Sequence, residues 1–171
     1  MHARAQSGFT LLEIMVVVVL IGILTSVAVM RIGGGDDRPE REARRLAAVL
    51  SAATDEAVIQ ARELGLRLDD DGYTVVRLDG DAWDADAFGH DRALAPHTLP
   101  RDLTLEISTD DLPGEREPGD GDDTPHVLIL SSGELTPFEV EIRVPGTDEP
   151  AWIVSGDLDG SIVYHQEGDA P

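Results

Sequence analysis

Few side chains in this sequence stand where they could do chemistry together. The five histidines, His2, His90, His97, His126 and His165, are spread along the chain without the short spacings of metal ligands. No Ser, His and Asp pattern marks a nucleophile with its base, so no catalytic residue is assigned and an enzyme is not expected. Cysteine is absent, which removes disulfides, thiolate nucleophiles and thiolate metal sites. Aspartate-rich turns at 69–71, 120–123 and 157–160 carry oxygen ligands suited to calcium, but none follows the EF-hand pattern, and acidic turns are ordinarily solvated. No metal site or cofactor is therefore expected, calcium being the one ion this chemistry leaves open. Trp83 and Trp152 suit sheet or core packing better than a ligand platform. What remains is one carboxylate in an unusual place: Glu13 is the single strongly polar side chain between residues 9 and 30.

The element that must position Glu13 is that apolar run. At ~1.5 Å per residue, a helix over residues 9–30 reaches roughly 33 Å, enough to cross a hydrocarbon core of about 30 Å. An acidic group at the centre of such a helix costs on the order of 3 kcal/mol, and less toward an interface, so Glu13 needs a partner. A cleaved secretory signal has a shorter apolar core with a small residue after it; here the core is longer and Gly8 precedes it. The segment thus reads as a retained anchor, with Arg4 as the only basic residue before it to hold the N-terminus in the cytoplasm.

Beyond the span, roughly 140 residues suit one soluble head. The chain of 171 residues carries 34 acidic and 13 basic side chains, the latter all arginine, for a formal charge of -21. Such a surface repels phosphate and excludes nucleic acid as a partner of the head. Carboxylates in this number without lysine fit either a salt-adapted surface, where screening relieves self-repulsion, or a coding bias toward arginine.

Three successive glycines at 33–35 break the apolar helix, each disfavouring helix by about 1 kcal/mol relative to alanine. Asp37 with Glu40 forms a capping box, with Pro39 tolerated in the first turn. A second helix follows, with Ala43, Leu46, Leu50, Ala53, Ala57, Ala61 and Leu64 at three- and four-residue spacing, a narrow face suited to lying close on a sheet. Arg38, Arg41, Arg44 and Arg45 form the dense basic patch of the chain. Lipid headgroups, acidic neighbours in an assembly, or a solvated face laced with Glu40 and Glu42 would each account for it. From Gly65 the period changes to that of strands. Residues 66–68 and 73–76 read as a hairpin around an Asp/Gly turn, and further short strands are expected around 103–107, 127–130, 138–144, 151–154 and 161–164. Their spacing favours antiparallel sheets over βαβ units. Residues 110–125, rich in Asp, Gly, Glu and Pro, read as a mobile loop.

Gly8-Phe9-Thr10-Leu11-Leu12-Glu13, followed by Ile-Met-Val-Val, resembles the processing site of type IV pilins and of the pseudopilins of type II secretion. The resemblance implies that a prepilin peptidase cuts after Gly8 and methylates the new amino group of Phe9. It extends into the head, where Arg44-Arg45-Leu46-Ala47, Asp55-Glu56-Ala57, Gly65-Leu66-Arg67, Asp71-Gly72-Tyr73, Leu99-Pro100 and Ser132-Gly133-Glu134-Leu135-Thr136-Pro137-Phe138 are together similar to the H-type minor pseudopilins of the general secretion pathway. The glycine triplet and the acidity depart from the common pattern.

The expected protein is an α+β, pilin-like subunit: a leader at 1–8, a transmembrane helix at 9–32, a Gly/Asp linker at 33–38, and a periplasmic head at 39–171. Within the head, a helix at 39–64 packs on antiparallel sheets in 65–171. The resemblance implies a single-pass inner-membrane protein incorporated into the pseudopilus, which helps export folded proteins across the outer membrane. Its implied partners are the major pseudopilin, the minor I-, J- and K-types, the prepilin peptidase, the inner-membrane assembly platform and the lipid itself. The presence of Glu13 argues against the K-type. A carboxylate one helical turn from Phe9 would pair with the Phe9 ammonium of a neighbouring subunit and fix axial register. A minor pilin of a type IV pilus, or a membrane-anchored calcium- or ligand-binding module, are the alternatives. Replacing Gly8 by alanine should leave an uncleaved precursor, visible as an unshifted band on a gel; a normally shifted band would remove Gly8 from the processing site.

Overall fold

The computed structural model describes residues 13–22, 38–109, 123–147 and 150–166. It forms two compact units, Met1–Asp36 and Asp37–Pro171. In the first, residues 13–22 are helical (α1) and carry apolar side chains at every position from Ile14 to Ile21. The leader, the rest of the expected span and residues 33–37 of the expected linker lie outside the described residues.

The second unit begins with α2, Arg38–Gln60, and continues into strands. Pro39 is buried in its first turn, where the missing N–H forfeits no intrahelical bond. Ala43, Leu46, Ala47, Val49, Leu50, Ala53 and Ala57 are buried and face the sheets. The helix ends sooner than the periodic spacing suggests, at Gln60 rather than at residue 64. The Arg62 N–H donates to the Ala57 carbonyl at 3.1 Å and the Ala61 N–H to the Val58 carbonyl at 3.3 Å, the bonding of a Schellman cap. Ala61 takes the left-handed conformation, φ 51°, that this cap requires. Ala61 is consequently exposed, and Leu64 belongs to the first strand.

Strand β1 (Leu64–Asp69) pairs with β2 (Gly72–Asp79) in a hairpin closed at Asp69 and Gly72. β2 also pairs with two short segments, β3 (Ala82–Asp84) and β4 (His97–Thr98), and β1 pairs with β6 (Val127–Ile129). β3 and β4 are too short to produce an alternating pattern, and periodicity does not reveal them. The second sheet runs β5-β7-β8-β9, formed by Thr104–Thr109, Phe138–Arg143, Trp152–Gly156 and Ile162–His165. Every pairing in both sheets is antiparallel. The loop expected at 110–125 falls largely outside the described residues.

The segment from Ser132 to Phe138 is the corner between the two sheets. The Leu130 N–H donates to the Glu134 carbonyl and the Thr136 N–H to the Leu128 carbonyl, so Leu135 still bridges to Ile129 in the first sheet. One residue after Pro137, Phe138 opens β7 in the second. Gly133 turns the chain with φ 92°, and its carbonyl oxygen stands so close to Gly160 that any side chain there would collide with it.

Ala61→Gly should raise the unfolding midpoint of the head, because glycine adopts the left-handed cap without the penalty on the order of 1 kcal/mol that a Cβ carries, less the added freedom of glycine in the unfolded chain. Denaturant titration checks this; an unchanged or lower midpoint would contradict the cap assignment.

Candidate functional site

Gly8 and Phe9 lie outside the described residues. Glu13 is the first described residue of α1, and after it Ile14, Met15, Val16, Val17, Val18, Val19, Leu20 and Ile21 are all exposed, from 42% to 62%. A helix that is apolar on every side has no water-facing surface and requires lipid or other apolar helices around it. Among the described residues no helix is by itself long and apolar enough to cross a membrane; α1 at 13–22 is one part of the expected span.

In the head, the structure separates the groups that sequence alone left as candidate ligands. His90 is exposed, and His165 lies on β9. His126 is buried, its Nδ1 accepting the Leu68 N–H at 3.1 Å. His97 on β4 meets Glu42 on α2, with Nε2 and Oε2 2.7 Å apart and both side chains largely shielded. Among the described residues no three His, Asp or Glu side chains converge as a metal set would. Several turn carboxylates are used locally. Asp159 accepts from Ser161, first its side chain and then its backbone N–H, which holds that carboxyl below the usual range. Asp91 is lowered in the same way by the N–H groups of Leu94 and Ala93. Asp69 and Asp123 both lie beside Arg67, at 3.3 Å and 3.4 Å. Trp83 lies on β3, and Trp152 packs on the core of the second sheet with its ring centroid 5.8 Å from that of Tyr164.

Sequence reasoning missed two polar groupings. Glu42 sits among the arginines and reads as a surface charge, yet it faces inward to His97 and ties α2 to β4. Tyr73, with its ring 5.2 Å from that of His97, completes this buried corner. Loss of solvent, opposed by nearby Arg45 and aided by Glu42, pushes the Tyr73 hydroxyl up to about 12. On the outer face of the second sheet Arg143 lies between two carboxylates that would otherwise repel. Its Nε is 3.0 Å from Glu106 and it also binds Glu141, which is the residue paired with Glu106 across the strands. Neither grouping has a periodic signature; each depends on strand register.

A helix lying on two antiparallel sheets defines a pilin-like α+β head. A family model described as type II transport protein GspH matches residues 42–160, and one described as the prokaryotic N-terminal methylation motif matches residues 3–29. Type II secretion system protein H of Pseudomonas aeruginosa is 42% identical over 163 residues, covering 90% of this chain and 92% of that protein. The solved minor pseudopilin EpsH from the type 2 secretion system of Vibrio cholerae superposes with a TM-score of 0.64 at 26% identity, covering 79% of this chain and all of that one. A shorter match, 50% identical over 42 residues, is to type II secretion system core protein G of Klebsiella michiganensis. The chain belongs to the GspH family of type II secretion minor pseudopilins, structural subunits of the pseudopilus.

The buried tyrosine gives a pH signature. Tyr73 holds its proton in the folded head up to about 12, against an ordinary value near 10. Its contribution is therefore fully present below about pH 10 and is lost as pH rises through about 12, a loss on the order of 2–3 kcal/mol. Tyr73→Phe should flatten this alkaline loss in denaturation curves; an unchanged alkaline limb would contradict it.

Proposed function

We propose that this chain acts by geometry and charge pairing, not by catalysis, as one subunit of a filament that drives export of folded proteins across the outer membrane. The observation that carries this reading is an apolar run in which Glu13 is the only strongly polar side chain, joined to a head in which no three His, Asp or Glu side chains converge among the described residues. In the proposed sequence of events, prepilin peptidase removes residues 1–8 and methylates the Phe9 amine, leaving a single-pass protein with its head in the periplasm. Glu13 then accepts the Phe9 ammonium of an adjacent subunit. Each charge alone is unfavourable in hydrocarbon; together they are neutralised, and only one axial offset allows it. The apolar faces of α1 pack on neighbouring helices while the head presents surfaces to the I-, J- and K-type minor pseudopilins near the tip, on a filament assembled by the inner-membrane platform. Similarity to a core protein G supports the major pseudopilin as a further neighbour. No cofactor takes part in this scheme.

Glu13→Ala should leave the protein in the membrane fraction, since it removes a polar group from an apolar helix. The same change should reduce its recovery in sheared filaments several-fold. Wild-type recovery of the variant in filaments would remove Glu13 from the register role.

A further inference from the structure

The arginines of α2 are placed against the helix dipole. The positive end of a helix is its N-terminus, where acidic side chains are favoured and basic ones are not. Arg38, Arg41, Arg44 and Arg45 nevertheless occupy the first two turns, and the last turn holds no basic residue. The helix dipole does not favour this order, which leaves room for a source of negative charge outside the helix.

The acidic residues interleaved with them do not supply it in full. Glu42 is turned inward to His97. Glu40 engages Arg44 at 2.7 Å, and Asp102 engages Arg38 at 2.8 Å. Arg41 has no carboxylate partner among the described residues, and Arg45 lies beside the Tyr73 hydroxyl. All four arginines are exposed, Arg44 reaching to Tyr164 on β9 and Arg45 to Tyr73 on β2. Beside them Arg44 Nε donates to the Tyr164 hydroxyl at 3.3 Å, and Tyr164, 37% exposed, has its ring tilted against that of Trp152. Arginine with partly exposed Tyr and Trp is the composition of a membrane interface. In sequence, only residues 31–37 separate this patch from the apolar run.

We propose that the first two turns of α2, with Tyr164 and Trp152 beside them, seat the base of the head on anionic phospholipid headgroups. This deepens the anchoring described above and rests on it. The acidic remainder of the head, repelled by the same surface, would be held pointing away from the bilayer, which orients the subunit before it enters the filament.

The chain has no cysteine, so Ala48→Cys, an exposed position on the arginine side of α2, provides a single site for a fluorescent donor. The full chain is reconstituted into phosphatidylcholine vesicles, with or without phosphatidylglycerol, that carry a headgroup acceptor. Energy transfer should be roughly two-fold or more higher with phosphatidylglycerol and should fall in molar salt. Arg41→Gln with Arg44→Gln and Arg45→Gln should abolish the difference, while Arg62→Gln, beyond the other end of α2, should not. Equal transfer in both vesicles, or transfer that follows protein density as contact with a second copy would, overturns the proposal. Flotation of the chain with both vesicle types reports the anchor separately: failure to float defeats the anchoring, whereas flotation with equal transfer defeats only the seating of the head. If the triple variant loses its near-ultraviolet circular dichroism, the salt response of the unsubstituted arginines decides.

Discussion

The close approach of α2 to the two sheets is the constraint on which the head depends. Ala43, Leu50, Ala53 and Ala57 are wholly buried and Leu46 nearly so, a face narrow enough for the helix to lie on β1 and β6 of the first sheet and on β7, β8 and β9 of the second. Neither sheet could stand alone in water, because each would present one apolar face. Leu66, Leu68, Val127 and Ile129 on one side and Val140, Ile142 and Val154 on the other are buried in one cluster with the helix. The corner from Ser132 to Phe138 makes this possible by passing the chain directly from one sheet to the other, with Leu135 buried at the seam. A larger side chain at any of the three alanines would have to displace strands of a well-packed core.

With the core closed in this way, the His97 and Glu42 contact, the Arg143 bridge and the carboxylates of Asp69, Asp123 and Asp159 satisfy local geometry. Outside the core lie the carboxylate on the apolar helix, the arginine end of α2 and the broad acidic surface. Such a division fits a subunit whose work is done by where it sits among its neighbours.

The fold class was largely legible from periodicity. The alanine and leucine spacing from Ala43 to Ala57 revealed the buried face of α2, and the change of period at Gly65 located the first hairpin. The end of α2 was not legible, since Ala61 continues the helical spacing and only the cap bonds show that the chain turns there. β3 and β4 escaped notice because two or three residues carry no period, and β4 matters because it brings His97 to Glu42. Glu13 was conspicuous because an acidic residue in an apolar run violates the expected composition. Glu42 was hidden for the opposite reason: among arginines a glutamate looks ordinary, and its burial depends on a contact 55 positions away.

The central claim is that this chain works as one member of a pseudopilin assembly, and co-purification tests it most directly. The tagged full chain, gently extracted from the membranes of cells with a complete type II secretion system, should carry other pseudopilins with it, identified by mass spectrometry. Recovery of the chain without any other pseudopilin, from cells that assemble and secrete normally, would contradict the account.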